Sequence, residues 1–218
     1  MSTDVAVDND VLHKLVMYGL LAAAQEALCT SGVPAVLGAA RYVVGGLLER
    51  AEAGASADAV GAFKEFLDVA EELEPTDAEL ALALELEERA QAAGAEVDGG
   101  ESQLLAMATV RGIRTIATGD KRAIVGVESM RTSVAWLRDL DHRIACLEQV
   151  LTTLLDVLGV EDCQARVCSA KHVDKAVSSC FACNGGRPDE EGVRAGLSSY
   201  VRHLRSRAPN VLKPGERA

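Results

Sequence analysis

The sequence predicts an α/β protein: a short, mostly parallel sheet within residues 1–126, followed by a helical extension over residues 127–218. Three observations carry this. Short β-prone runs alternate with helical patterns in the first part, the order that builds a parallel sheet with helices packed on it. Ala and Leu dominate while aromatic residues make up 3%, a balance that favours helix and disfavours an all-β sandwich. Residues 1–110 hold 5 Lys/Arg against 20 Asp/Glu, whereas residues 111–218 hold 17 against 13, so the two parts differ in charge and suggest two jobs.

The elements follow in order. Residues 4–7 read as a strand ending at Asp8. Leu12, Leu15, Val16 and Leu20 then recur at helical spacing in a helix over residues 11–28, so strand passes to helix across Asp8-Asn9-Asp10. Thr30-Ser31-Gly32 breaks the pattern, and residues 33–37 read either as a second strand or as the start of a helix, Pro34 leaving both open. Helix is expected over residues 39–53, with a break at Gly54-Ala55-Ser56, and again over residues 56–73, where Val60, Phe63, Leu67 and Ala70 share a face. Pro75 stops it. Thr76 and Glu79 have the spacing of a capping box and open a helix that runs to Ala93 and closes at Gly94. Its acids Glu79, Glu85, Glu87 and Glu88 read as a solvated face.

The turn Asp98-Gly99-Gly100-Glu101 leads into a helix over residues 102–110. Residues 113–117 are β-prone, Thr118-Gly119-Asp120 is a turn, and helix resumes at Lys121. Beyond residue 127 the pattern gives three or four helices and no strand, with a loop at residues 184–188 and a basic amphipathic helix over residues 193–207.

The net charge of −11 argues against a protein that simply coats nucleic acid, but not against a nuclease, whose metal-binding carboxylates are themselves negative. No apolar run reaches the ~18 residues a membrane span needs. The opening MSTDVAVDND carries acids where a secretory signal carries basic residues. The expectation is a soluble, cytoplasmic chain without a membrane partner.

Acids recur at the strand-to-helix junctions. Asp8 ends the first strand, Asp120 follows the strand at residues 113–117, and Asp98 and Glu101 flank the start of the helix between them. In a parallel sheet, sites form at the carboxyl ends of the strands. Carboxylates gathered there repel one another unless a cation binds, and Mg²⁺ or Mn²⁺ suits hard oxygen ligands. Neither a Gly-x-Ser-x-Gly nucleophile turn nor a Gly-x4-Gly-Lys-Ser/Thr phosphate loop occurs in the sequence. Each acid also has a plainer role on its own: Asp10 and Asp120 as helix N-caps, Glu101 as a first-turn acid favoured by the helix dipole.

The stretch Val5-Ala6-Val7-Asp8-Asn9-Asp10-Val11-Leu12 resembles the opening of PIN-like domains, a nuclease superfamily. Asp98-Gly99-Gly100-Glu101-Ser102-Gln103-Leu104-Leu105-Ala106-Met107-Ala108, followed by residues 111–123 with Thr118-Gly119-Asp120, resembles that fold's second half. The resemblance covers roughly residues 1–126 and implies a three-layer sandwich. It further implies a metal-dependent nuclease in which Asp8, Asp10, Glu101 and Asp120 hold Mg²⁺ or Mn²⁺, with Asp98 in support and Lys121 and Arg122 placed for phosphate. RNA would be the favoured substrate, through two-metal activation of water. Members often act as toxins held silent by a partner protein, in RNA processing or in defence. Many carry a further acid in the second helix; residues 36–47 here contain none, only Arg41, with Glu49 farther on. Either Asp10 or Asp98 compensates or the metal site is weakened, which keeps a catalytically silent binding module acting through protein–protein contacts as the alternative; an inhibitory or scaffold protein partner and a homo-oligomer are open under either reading. An all-helical scaffold whose acids are only caps is a third reading.

Cys163, Cys168, Cys180 and Cys183 lie within 21 residues, with spacings x4, x11 and x2. Three roles are open to them: four thiolates on a structural Zn²⁺, buried thiols of a helical core, or a redox group. His172 could replace one of the four as a zinc ligand. Tyr200, Arg202, His203, Arg205 and Arg207 give the last helix a basic face suited to nucleic-acid backbone or to an acidic partner.

Overall fold

In a computed structural model, described for residues 2–50, 57–185 and 189–215, the chain builds a five-stranded sheet. The strands are β1 (Thr3–Val7), β2 (Val33–Leu37), β3 (Glu71–Leu73), β4 (Thr115–Thr118) and β5 (Ile144–Cys146). They lie in the order β3-β2-β1-β4-β5 and all pairs are parallel. The helices are α1 (Asn9–Met17), α2 (Leu21–Leu28), α3 (Ala40–Arg50), α4 (Ala57–Val69), α5 (Asp77–Ala93), α6 (Gly99–Val110), α7 (Lys121–Met130), α8 (Leu147–Leu158), α9 (Val160–Ser169), α10 (Lys175–Cys180) and α11 (Glu190–Arg207). A 3₁₀ segment, Ala135–Leu140, links α7 to β5.

Both faces of the sheet are covered, as an all-parallel sheet requires. Val5 and Val7 point into one core with Leu12, Val36, Val44, Leu151 and Leu154. Ala6, between them, points into the other with Leu37, Leu86, Leu104, Ile116 and Ile144. This two-residue alternation on β1 gives the layered architecture directly.

The loop into β2 is held by Asp4, whose Oδ2 accepts the amides of Thr30, Ser31 and Gly32 at 2.9, 2.8 and 2.8 Å. Those three bonds hold its carboxyl below the usual range. A Cβ at Gly32 would meet the Ser2 carbonyl oxygen at 2.0 Å, so the turn needs glycine.

Several expectations are corrected. The single helix over residues 11–28 is two, divided where Gly19 takes φ +64°. Residues 33–37 are a strand. The helix over 56–73 stops at Val69, and Glu71–Leu73 pairs with β2 as an edge strand, with Glu72 bonded to Arg41 and Glu71 to Thr3. Glu79 is no solvated acid. It is 2% exposed, bonded to Arg111 Nε at 2.8 Å, and the guanidinium holds its carboxyl down to about 2. Its capping box with Thr76 is present, as is the Gly94 C-cap at φ +65°. The break expected at residues 54–56 and the last part of the loop at 184–188 lie outside the described residues.

The stretch beyond residue 127 is not strandless and does not stand apart. β5 extends the sheet, and Asn210–Leu212 runs alongside it, with Ile144 and Leu212 bridged in parallel and Lys213 N bonded to Ile144 O at 2.7 Å. Glu128 fixes that segment by accepting the amides of Asn210 and Val211, both at 3.0 Å. α8 shares a core with α1 and β1, so residues 1–126 and 127–218 form one packed unit. Among the described residues no helix is long and apolar enough to cross a membrane.

Candidate active site

The strand order puts β1 and β4 side by side at the point where the chain's connections depart in opposite directions, β1 toward β2 and β4 toward β5. Such a switch point leaves a crevice at the carboxyl ends of the strands. Asp8 leaves β1 there, its amide bonded to Ala117 O at 2.9 Å, in the extended N-cap position of α1. Gly119 and Asp120 leave β4 beside it. Asp120 N-caps α7, its Oδ1 accepting the amides of Arg122 and Ala123 at 2.7 and 3.1 Å. Asp98 N-caps α6 in a reciprocal capping box: its Oδ1 accepts the Glu101 amide at 2.8 Å, and Glu101 Oε2 accepts the Asp98 amide at 2.9 Å.

The structure brings Asp8, Asp10, Asp98, Glu101 and Asp120 to one cavity of about 620 Å³, with Lys121 and Arg122 also in its wall. Asp8 and Glu101 additionally border a small apolar cleft formed by Leu104, Leu105, Ile116 and Ile124. That apolar floor explains their electrostatics. Burial, with repulsion from Asp10 and Asp98, pushes Asp8 up to about 6 against the opposing pull of nearby amides. Burial, with Asp98, Asp120 and Asp8 nearby, pushes Glu101 up to about 8. Thr118 Oγ1 donates to Asp8 Oδ2 at 3.4 Å.

The charges around the cavity are partly paired. Asp10 Oδ2 lies 2.8 Å from Lys14 Nζ, which also reaches Asp174 Oδ2 at 2.9 Å. Burial draws the Lys14 ammonium down, but the two carboxylates outweigh it and the net shift is upward. A Cβ on Gly119 would stand 2.0 Å from Asp10 Oδ2, so glycine leaves room for the Asp10 carboxylate where it meets Lys14. Lys121 is turned to Glu148 Oε1 at 2.7 Å and lies 5.5 Å from the Tyr200 ring centre. Arg122 is the exposed cation at the rim, 2.6 Å from Glu96 Oε2 and 3.5 Å from Asp120 Oδ2.

Sequence reasoning missed Glu148 and Asp174. Glu148 is 1% exposed in the first turn of α8, directly after β5, and its Oε2 has no hydrogen-bond partner among the described residues. It occupies the same kind of strand-to-helix junction as Asp8 and Asp120, and recognising β5 would have exposed it. Asp174 N-caps α10 through the amides of Ala176 and Val177. The pattern Asp98-x-x-Glu101 carries the same capping-box spacing as Thr76-x-x-Glu79.

One further expectation changes. The four clustered cysteines do not gather as a zinc set: Cys168 and Cys183 are joined in a disulfide, which removes the thiolate charge zinc requires, and buried Cys163 donates to Leu154 O. α3 brings Val43 and Leu47 to the cavity and no acid, while Arg41 is bonded to Glu72. Among the described residues no group of three or more His, Cys, Asp or Glu is already drawn together as a metal ion needs; as placed, most of the acids serve their own helix ends. Comparison with protein-family models, with curated proteins and with solved structures returned no match.

Proposed function

We propose that the protein is a PIN-like, Mg²⁺- or Mn²⁺-dependent nuclease acting on RNA. The observation that carries this reading is the arrival of five carboxylates from three separate strand-to-helix and loop-to-helix junctions in one cavity at the sheet's switch point. The donor chemistry suits such an ion. All five side chains offer hard oxygens, and the backbone caps engage Asp98 through Oδ1, Glu101 through Oε2 and Asp120 through Oδ1, leaving the second oxygen of each free of those caps. The raised values at Asp8 and Glu101 mark negative charge that burial makes unfavourable and that a cation relieves.

Asp8, Asp10, Glu101 and Asp120 would hold the ion, with Asp98 in support. When bound, it supplies positive charge that polarises a phosphodiester and acidifies water. The chain's own part is to exclude bulk water with the Leu104, Ile116 and Ile124 floor and to meet the substrate's phosphates with Arg122 at the open rim. Lys121, tied to Glu148, positions the start of α7 and α8 beside the site.

The acid-free wall of α3 favours a second reading, a catalytically silent module that keeps the cavity for binding. Cleavage of labelled single-stranded RNA in Mn²⁺ separates the two. Activity in the wild type that falls at least ~100-fold in Asp120→Asn supports the enzyme. Inactivity in both supports the module, and equal activity in both removes the cavity from the chemistry.

A further inference from the structure

We propose a second site, a phosphate-binding groove at the other end of the sheet from the acidic cavity. The groove holds about 640 Å³ and opens at Thr115, the first residue of β4, between α8 and α11. Its wall carries Arg194, Arg202, Arg205 and Lys213 and, among the described residues, a single acid, Asp156. Arg194 neutralises that acid at 2.6 Å and also holds Glu190 at 2.8 Å. The other three cations have no carboxylate within ion-pair distance among the described residues.

Structural duties account for only part of this. Arg205 Nη2 donates to the Lys213 carbonyl at 2.7 Å, and Lys213 Nζ reaches Thr115 Oγ1 at 3.3 Å, so both are fixed in place without a carboxylate partner among the described residues. Arg202 is exposed and makes neither bond nor ion pair with the described residues. It follows Ser198 and Arg194 at four-residue intervals, which sets a hydroxyl and two guanidinium groups on one face of α11. In a chain of net charge −11, three neighbouring cations with no carboxylate partner among the described residues form a local field of opposite sign in a concave site.

Guanidinium forks match the paired oxygens of phosphate better than any other common anion except carboxylate, and Ser198 adds a hydroxyl donor. The ligand is therefore a phosphate group, either free, as in a mononucleotide, or within the backbone of single-stranded nucleic acid. The groove is separate from the acidic cavity, and the inference does not depend on cleavage.

The test is binding in EDTA by the full chain. A labelled 12-nucleotide single-stranded RNA is followed by fluorescence anisotropy at several salt concentrations, and inorganic phosphate and a nucleoside monophosphate are followed by calorimetry. Wild type is expected to bind at least one probe. Arg202→Glu is expected to weaken it at least tenfold at an unchanged melting temperature, and for RNA Arg202→Gln should lower the salt slope by about 1. Uptake of the small probes alone assigns the free ligand, and uptake of RNA alone assigns the backbone. Binding that Arg202→Glu and Arg202→Glu/Arg205→Gln leave unchanged, or no binding of any probe at 50 mM salt, overturns the proposal.

Discussion

Replacing Glu101 by Gln should make the metal-free protein more stable at neutral pH and less able to respond to manganese. Glu101 is 9% exposed, and its carboxyl is pushed from an ordinary 4.5 to about 8 by burial and by Asp98, Asp120 and Asp8. Between these values the folded chain retains a proton that the unfolded chain has released. The folded state then binds more protons, so stability is full below pH 4.5 and declines as pH rises toward 8. At ~1.4 kcal/mol per pH unit the loss at pH 7 approaches ~3 kcal/mol, and relaxation of the site brings the expected gain on neutralisation to about 1–3 kcal/mol. Gln retains an oxygen to accept the Asp98 amide, so the α6 cap survives. Urea unfolding in EDTA at pH 4.5, 7 and 8.5 reads the effect as a change of midpoint at constant m. The variant should exceed wild type at the two higher values and converge with it at the lowest, while added Mn²⁺ should stabilise wild type alone. Equal stability across the range, or a variant weaker at pH 7, refutes the reasoning.

Other consequences are equally direct. Lys121→Met leaves Glu148 buried without its counter-charge and should cost ~3–5 kcal/mol, most of it regained in Lys121→Met/Glu148→Gln; an equal loss in the double variant, by urea unfolding, would assign the effect to packing instead. Gly119→Ala sets a methyl 2.0 Å from Asp10 Oδ2 and should displace that carboxylate, weakening manganese binding while changing stability by less than ~1 kcal/mol; unchanged manganese affinity would contradict a ligand role for Asp10. Reducing the Cys168–Cys183 bond, which spans a sequence separation of 15, should lower stability by ~3 kcal/mol, and a melting temperature indifferent to reductant contradicts the staple. Glu79, held at about 2 by Arg111, should contribute stability above pH 4.5 that is lost as pH falls toward 2, a loss absent from Glu79→Gln.

β1, the start of α1 and α5 were legible because their signals are local. β1 and α1 are marked by a buried Val-Ala-Val run and a helical repeat, and α5 by a capping box and a terminal Gly94. The two misread strands are each three residues long, too short for alternation to register: Glu71–Leu73 buries only Leu73, and Ile144–Cys146 is apolar throughout. Their pairing is decided by neighbours distant in sequence, β2 for one and β4 with the Asn210–Leu212 segment for the other. The acids of the cavity were legible from their place at element junctions. Glu148 was not, because its junction follows a strand the pattern did not show. The pairing of Cys168 with Cys183 was illegible for a similar reason, since spacing alone does not distinguish a thiol bound to a metal from one bound to another thiol.

Manganese uptake by the purified chain, followed by calorimetry and by electron paramagnetic resonance, bears most directly on the shared carboxylate cavity. The account predicts saturable binding to the wild type that Asp8→Asn and Asp120→Asn each weaken severely while the fold, read by circular dichroism, is retained. Absence of saturable uptake, or uptake that those substitutions leave untouched, contradicts it.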